Sequence, residues 1–223
     1  ERRAAPSSLS PLGGQEPRSG DVGANRLTFS YDMLGEGART EKDAERYLAA
    51  YHHAIGRIAA RGRAASPMAA DGISIKLSAL FTRYEVLQRE RVFATLLPRV
   101  LGLVDAAAAA NMNLTIDAEE VDRLEISLDL LEALADHVTA RHPQWQGLGL
   151  AVQAYQTRAR AVIDAVAQIA RARGLRFMVR LVKGAYWDGE IKRAQELGLA
   201  HYPVFTHKAH TDLSYLACAQ ALL

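Results

Sequence analysis

Short apolar runs along the chain each end in a single polar side chain. In GISIKLSAL, a period-two strand puts Ile73, Ile75 and Leu77 on one face, and Ser74 and Lys76 on the other. Later runs end in the same way with Asp117, Gln153 and Arg180. A parallel strand packed between helices should be apolar on both faces, so repeated polar ends predict a shared polar cavity. The carboxyl ends of the strands are also where α/β barrels carry their chemistry.

Each interval between these polar residues has room for a helix and a return strand, which together take about 30 residues. The runs predict six strands, centred near Phe29, Ile75, Leu114, Leu150, Val179 and Phe205. Amphipathic patterns predict helices over 40–61, 85–110, 120–142, 156–173, 186–197 and 211–223. Thr40 is the expected N-cap of the first helix, with Asp43 in its first turn. Pro98 should kink the second helix, and Gly174 should end the fourth.

Composition narrows the class of protein. The chain has 223 residues, of which 49% are hydrophobic and 23% charged, as expected for one globular domain. Its net charge is only +2, from 27 basic and 25 acidic residues without a basic stripe, so nucleic acid is not an expected partner. There is no run of about 18 uninterrupted apolar residues and no apolar core of a secretion signal, which favours a cytoplasmic protein. The lone Cys218 offers neither a disulfide nor a cysteine metal site, and no metal is expected.

The two ends of the chain differ from its middle. Residues 1–25 are rich in Pro, Gly and Ser and predict a flexible leader, followed by one domain over 26–223. The last segment, DLSYLACAQALL, is amphipathic but has no cap or terminator. We therefore expect the natural chain to continue beyond Leu223, and the six strand-helix units to be part of a larger fold.

Several colinear segments carry a specific resemblance: FSYDMLGE, GISIKLSAL, IDAEEVDRLEISLDLLE, VQAYQ, RLVKGAYWDGEIKRAQ and YLACAQ. From about Phe29 onward they resemble the proline dehydrogenase domain of the bacterial proline utilisation A proteins. The resemblance implies an α/β fold of the (βα)8 TIM-barrel type, with about six of the eight units present in this chain. It also implies noncovalently bound FAD, oxidation of L-proline to Δ1-pyrroline-5-carboxylate, and a membrane quinone as electron acceptor. Peripheral membrane association of the intact protein would follow.

The resemblance assigns catalytic roles to three strand-end residues. Arg180 matches an arginine that contacts the flavin, where its fixed charge would stabilise reduced flavin. Lys76 matches a lysine that holds the substrate carboxylate. Asp117 matches an aspartate that organises the hydrogen bonds of the active site. From the residues alone, there are less favoured alternatives: Arg180 could form an interior ion pair, Lys76 could extend from a strand edge, and Asp117 could cap the following helix.

Further residues match the binding segments of the family. Glu36 resembles a glutamate that helps to close the substrate pocket by pairing with an arginine. The residues matching FAD contacts, besides Asp117 and Arg180, are Ala118, Glu119, Gln153, Val182, Lys183, Gly184, Ala185, Trp187, Thr206, His207 and Lys208. Read without the family, Gln153 could be a satisfied interior amide, Trp187 could pack on the barrel wall, and His207 could be an exposed loop histidine. Gly184 would let the backbone approach a cofactor phosphate closely.

The chain also departs from the family. The seventh and eighth strands, a histidine of the seventh strand, and the paired arginines that grip the proline carboxylate should all lie beyond Leu223. One alternative is therefore a catalytically silent piece of a barrel that self-associates through open sheet edges. Another is a phosphate-binding barrel enzyme of the aldolase kind, in which Lys76 or Lys183 would form a Schiff base.

Overall fold

The computed structural model describes residues 27–33 and 37–223. The predicted leader over 1–25 and the candidate residue Glu36 lie outside these described residues. Five short strands form one parallel sheet in the order β1-β2-β3-β4-β5. The strands are β1 (Ser30–Asp32), β2 (Gly72–Ile75), β3 (Asn113–Ile116), β4 (Leu148–Gln153) and β5 (Met178–Val182).

The helices are α1 (Glu41–Ala59), α2 (Leu77–Leu80), α3 (Arg89–Arg91), α4 (Leu97–Ala109), α5 (Leu124–Arg141), α6 (Ala159–Ala172), α7 (Trp187–Glu196) and α8 (Lys208–Leu222). Helices α1 to α6 lie between consecutive strands, and α7 and α8 follow β5. Because strand order follows chain order and every pair is parallel, the architecture is that of a β/α barrel over part of its circumference. The predicted fold class is confirmed.

The predicted alternation of apolar and polar residues along the strands gives the sheet one face that packs in the core and one face that carries small or polar side chains. Ile73, Ile75, Leu114 and Leu148 are buried in one hydrophobic core between the sheet and its helices. The opposite face carries small or polar side chains, including Ser74, Thr115, Ala151 and Gln153. Arg180 on β5 donates to Ser74 on β2 at 2.7 Å, three strands away. Side chains so far apart in a sheet meet only where the sheet curls, so this face is concave.

The start of α1 follows its local sequence signals. The Thr40 hydroxyl accepts a hydrogen bond from the Asp43 backbone N–H at 3.1 Å, and the Asp43 carboxylate accepts from the Thr40 N–H at 3.0 Å. These reciprocal bonds form a capping box. At the end of α6, Gly174 adopts a φ of 64° and ends the helix as predicted.

The second predicted helix is interrupted, as expected from Pro98. A π-helical turn over Val92–Leu96 precedes α4, and Pro98 lies in the first turn of α4, where its missing N–H is tolerated. By length and composition alone, the whole helical stretch Val86–Ala109 could cross a membrane. In this fold several of its apolar residues, Val92, Leu96 and Val100 among them, belong to the core between the sheet and the helices, whereas Leu87 is exposed.

Two predictions about strands are wrong. β2 ends at Ile75, and Lys76 precedes the short helix α2, so Leu77 does not continue the strand face. The run around Phe205 forms no strand either. Its backbone pairs with the loop after β4, because the Phe205 N–H donates to Tyr155 and the Pro203 carbonyl accepts from Thr157. Only an isolated antiparallel bridge between Gln156 and Val204 remains.

Candidate active site

Three strand-end residues predicted to share a cavity meet at the carboxyl edge of the sheet. The Asp117 carboxylate accepts a hydrogen bond from Lys76 Nζ at 2.8 Å, and it also forms an ion pair with the Arg180 guanidinium. Lys76 follows β2, Asp117 follows β3 and Arg180 lies in β5. Asp117 is buried and therefore fixes two cations that come from different strands.

Asp32, at the end of β1, completes the cluster and was not predicted. Its carboxylate accepts from Lys76 Nζ at 2.9 Å. The signal was present, since the short run SYD also ends in a single polar residue, but three residues are too few to show a strand period. The four charged groups are thus two cations and two carboxylates that balance one another.

The lysine at the centre of this cluster is strongly held in its charged form. Burial alone would lower the pKa of Lys76, but the hydrogen bonds and charges of Asp117 and Asp32 outweigh it and raise that pKa well above its usual range. The backbone is fixed as well, because the Lys76 N–H donates to the buried Tyr51 hydroxyl at 3.1 Å. Burial raises the pKa of Tyr51 to about 12, so this hydroxyl stays protonated.

The cluster forms one side of an open cavity of about 400 Å³. Arg180 exposes 38% of its side chain there although it is paired with Asp117. The structure therefore combines the interior ion pair with an accessible guanidinium. The other predicted residues that line the cavity are Ala118, Gln153, Val182, Lys183, Gly184 and Ala185.

Gln153 is an interior amide that is hydrogen-bonded through both its nitrogen and its oxygen. Its Nε2 donates to the Glu119 carbonyl at 2.8 Å, and its Oε1 accepts from the Ala185 N–H at 3.1 Å. It thereby ties the loop after β3 to the loop after β5. Its side chain is buried, so Gln153 fixes the cavity wall.

Glu119 is directed away from the cavity. Its carboxylate accepts from the Ser78 N–H at 3.0 Å and from Arg123 at 2.6 Å. Burial raises its pKa above the usual value, although these partners oppose the shift. In this structure the Glu119 side chain joins α2 to the turn before α5.

The turn after β5 is shaped by a tyrosine. Gly184 has a φ of 148°, and a Cβ placed there would lie 2.4 Å from the Tyr155 ring. The group that lies against this glycine in the structure is the Tyr155 ring, and the close approach of a cofactor phosphate stays a prediction. A second open cavity, of about 410 Å³, adjoins the first and shares Gly184 and Ala185 with it.

The remaining predicted residues lie around α7 and α8. Trp187 donates from its indole nitrogen to the Phe205 carbonyl at 2.9 Å, and 42% of this residue is exposed. Thr206 and His207 precede α8, and Lys208 begins it. Asp212 pairs with both Lys183, at 2.5 Å, and Lys208, at 2.6 Å. This carboxylate connects the loop after β5 with the start of α8.

The fold and its strand-end cluster define a β/α-barrel protein with a charged pocket at the carboxyl edge of the sheet, an arrangement typical of barrel enzymes. A family model described as proline dehydrogenase matches residues 17–223. The chain belongs to the proline dehydrogenase family. This confirms the family resemblance seen in the sequence.

Individual relatives agree with this assignment. The chain is 51% identical over 195 residues to the bifunctional protein PutA of Salmonella typhimurium, which covers 87% of this chain and 15% of that protein. A crystal structure of a Bradyrhizobium japonicum proline utilization A mutant is 54% identical with a TM-score of 0.84, covering 88% of this chain and 20% of that one. The enzyme of Bdellovibrio bacteriovorus inactivated by N-propargylglycine is 26% identical with a TM-score of 0.80, covering 89% and 22%. The chain thus spans under a quarter of the length of each of these relatives.

Proposed function

We propose that the strand-end cluster is the active site of an FAD-dependent proline dehydrogenase, which oxidises L-proline to Δ1-pyrroline-5-carboxylate. Family membership supports the reaction class. The observation that carries the proposal for this site is the pairing of Asp117 with both Lys76 and Arg180 beside an open cavity. A site for an amino acid and an electron-rich reduced cofactor needs cationic hydrogen-bond donors held in place, and this pairing holds two of them beside the cavity.

The residues present fit a flavin dinucleotide. When bound, FAD would supply the isoalloxazine ring that accepts hydride from the substrate. Two adjoining open cavities that share the loop after β5 offer an extended binding surface. The accessible face of Arg180 would stabilise negative charge on the reduced ring. The other residues proposed to hold FAD are Asp117, Ala118, Glu119, Gln153, Val182, Lys183, Gly184, Ala185, Trp187, Thr206, His207 and Lys208.

The observed contacts divide these residues by how they would act. Gln153 and Glu119 are engaged by protein groups, so they would act by fixing the loops of the cavity wall. Lys183 and Lys208 share one carboxylate and remain exposed, so they suit a phosphate that can compete for them. Asp117 would position Arg180 against the ring.

Lys76 is suited to bind the carboxylate of proline. An ammonium has three N–H donors, of which Asp32 and Asp117 take two. Among the described residues no third acceptor is bonded to Lys76 Nζ, and the side chain lines the cavity. Its raised pKa keeps it charged throughout the physiological range. Glu36 stays a proposed substrate-site residue outside the described part of the chain.

The same proposal extends beyond the site. Electrons from the reduced flavin would pass to a membrane quinone, and the protein would be cytoplasmic with peripheral contact to the membrane. No nucleic-acid partner is proposed for this chain. These statements rest on the family resemblance, and a reduced-flavin reoxidation assay with a soluble quinone analogue tests the electron acceptor.

The Schiff-base alternative has less support. A lysine that attacks a carbonyl must be present as the neutral amine, and this is achieved by lowering its pKa. Here the pKa of Lys76 is raised, and the hydrogen bond to Asp212 raises that of Lys183. Borohydride trapping of a carbonyl substrate on either lysine would revive this alternative.

Rapid-mixing kinetics with two variants test the residue roles. The assay uses the chain joined to the part of the Salmonella typhimurium protein that follows the matched segment. We expect Arg180→Met to slow flavin reduction by proline at least tenfold. We expect Lys76→Ala to weaken proline binding by about tenfold to a hundredfold, the value of one charged hydrogen bond.

Matched controls use residues of the same type in exposed ion pairs. Arg160→Met removes an arginine paired with Asp164 on α6, and Lys192→Ala removes a lysine paired with Glu196 on α7. Neither should change reduction rate or affinity. Unchanged reduction in Arg180→Met, or unchanged proline affinity in Lys76→Ala, would refute the corresponding role. The chain without the added segment, measured in parallel, tests whether it is catalytically silent alone.

A further inference from the structure

Two histidines and an aspartate converge on the side of the fold opposite the candidate active site. Asp105 lies near the carboxyl end of α4, His137 near the end of α5, and His142 directly after α5. Both helices lead into strands, so their carboxyl ends face the amino edge of the sheet. The strand-end cluster around Asp117 lies at the other edge. The three side chains therefore form a separate group.

The two histidine nitrogens contact the same carboxylate oxygen. His137 Nε2 and His142 Nε2 lie 2.6 and 2.7 Å from the same Asp105 Oδ1. One ligand atom from each residue lies within 4.8 Å of the other two. Two imidazole nitrogens and one carboxylate oxygen form a common ligand set for Zn²⁺ and related divalent transition metals.

We propose that Asp105, His137 and His142 bind a divalent transition-metal ion of the Zn²⁺ class, with water completing its coordination. Ligand atoms around a tetrahedral zinc ion are about 3.3 Å apart, given zinc-ligand distances of about 2.0–2.2 Å. The two nitrogen–oxygen spacings of 2.6 and 2.7 Å would lengthen by about 0.6–0.7 Å. All three ligand atoms already lie within 4.8 Å of one another, so side-chain rotation can bring them to the spacing of a zinc site. The ion would replace the hydrogen atoms that the imidazoles now direct at the carboxylate.

The backbone holds His142 in place for this role. His142 leaves the helix with a φ of −136° and a ψ of 50°, while its N–H still donates to the Val138 carbonyl at 2.8 Å. Its own carbonyl accepts from the Trp145 N–H at 2.9 Å. The Trp145 indole is buried and donates to the Met112 carbonyl at 3.0 Å. The turn that carries His142 is thus anchored beside the start of β3.

Access and electrostatics favour the ion as well. The side chains of Asp105, His137 and His142 are 41%, 18% and 25% exposed, so an ion and its water can enter from solvent. The carboxyl ends of α4 and α5 both lie nearby. A helix carries partial negative charge at this end, which favours a cation there. A bound ion would join α5 to α4 and stabilise the folded state by mass action.

Zinc binding to the chelator-treated 223-residue chain tests this inference. We expect one Zn²⁺ per chain in isothermal titration, and a rise in the unfolding temperature with added zinc. Asp105→Asn, which keeps the side-chain shape, and His137→Ala should each weaken binding at least about tenfold. Cobalt, added in place of zinc, should give visible absorption bands in the unaltered chain and lose them in both variants.

A second histidine pair provides the matched control. His207 and His210 at the start of α8 have ring centroids 5.4 Å apart, and the double variant His207→Ala/His210→Ala removes them. This variant should bind zinc like the unaltered chain. The inference is overturned if the chain takes up no zinc at a tenfold molar excess. It is also overturned if the Asp105 and His137 variants keep full affinity, or if only the His207/His210 variant loses it. Far-UV circular dichroism confirms that each variant is folded.

Discussion

At the scale of single residues, the site depends on one buried carboxylate that separates two cations. Asp117 accepts from Lys76 at 2.8 Å and pairs with Arg180, and only 8% of its side chain is exposed. Without that carboxylate, two like charges, one following β2 and one in β5, would face each other at a partly buried position. The geometry therefore gives Asp117 a structural role in addition to its proposed catalytic one.

Asp117→Ala should lower the free energy of unfolding by about 2 kcal/mol. Breaking a fully buried ion pair costs more, but Arg180 is partly exposed and retains some hydration. Asp129→Ala is the control, because its ion pair with Arg89 is exposed on both sides and should contribute less than about 1 kcal/mol. Urea denaturation measures both. Equal losses in the two variants would show that the cluster does not depend on Asp117.

The sequence predicted much of this cluster but not its contacts. The sequence predicts that Lys76, Asp117 and Arg180 lie close together, because the carboxyl ends of parallel strands lie at one edge of the sheet. Asp32 was missed, since β1 is too short to show a period. The engagement of Gln153 by Glu119 and Ala185 depends on the paths of two loops, which no periodicity encodes.

At the scale of elements, the capping box of α1 is a local device whose contribution can be isolated. Thr40→Ala removes the hydroxyl that accepts from the Asp43 N–H and should cost about 1 kcal/mol. Ser66→Ala is a matched control, since Ser66 also precedes a helical turn but its side chain makes no capping bond. Thermal unfolding of both variants should show a loss only for Thr40→Ala. A similar loss for Ser66→Ala would contradict the assignment.

The same box predicts a dependence on pH. The Thr40 hydroxyl also donates to the Asp43 carboxylate at 2.8 Å, and this hydrogen bond holds the pKa of Asp43 below its usual value of 3.8. A lowered pKa stabilises the folded state above the usual value, and this contribution is lost as pH falls through the lowered pKa. The stability difference between the unaltered chain and Thr40→Ala should thus be full at neutral pH and shrink below pH 3.8. Denaturant titrations from neutral pH to below pH 3.8 measure this stability difference. A difference that stays constant with pH would contradict the prediction.

The turn after β5 should not tolerate a side chain at Gly184. An added Cβ would overlap the Tyr155 ring, and the φ of 148° is strained for any other residue. Gly184→Ala should cost about 1–3 kcal/mol and weaken FAD binding. Gly189→Ala in α7 meets no atom within 4 Å and should be neutral or slightly stabilising. Denaturant unfolding compares the stability of the two variants, and flavin fluorescence titration compares their FAD binding. A Gly184→Ala variant with unchanged stability would refute the packing argument.

Elements with strong local signals could be predicted from the sequence. The sixth strand was predicted as well, but it does not form, and the sequence alone could not show this. Thr40 and Gly174 mark helix ends through their own hydrogen bonds and backbone angles, so sequence alone locates them. The run around Phe205 has strand-like composition, but its backbone groups pair with the loop after β4. Strand identity depends on the partner that is available, and composition does not specify it.

At the scale of the whole molecule, the described sheet forms part of a barrel wall, and its two outer strands, β1 and β5, are its edges. Within the described residues, β1 pairs only with β2, and β5 only with β4. Unpaired edges offer N–H and C=O groups to other chains. We expect the 223-residue chain alone to form dimers or larger species in sedimentation velocity. Joining the following segment of the Salmonella typhimurium protein should reduce this association. A monodisperse monomer that melts cooperatively would contradict the prediction.

An anaerobic visible spectrum of that joined chain, reconstituted with FAD and recorded before and after addition of L-proline, tests the proposed function most directly. We expect bound flavin whose oxidised absorption band bleaches with L-proline and persists with D-proline. Bound flavin that L-proline leaves oxidised would contradict the proposal that the Lys76–Asp117–Arg180 cluster serves proline oxidation.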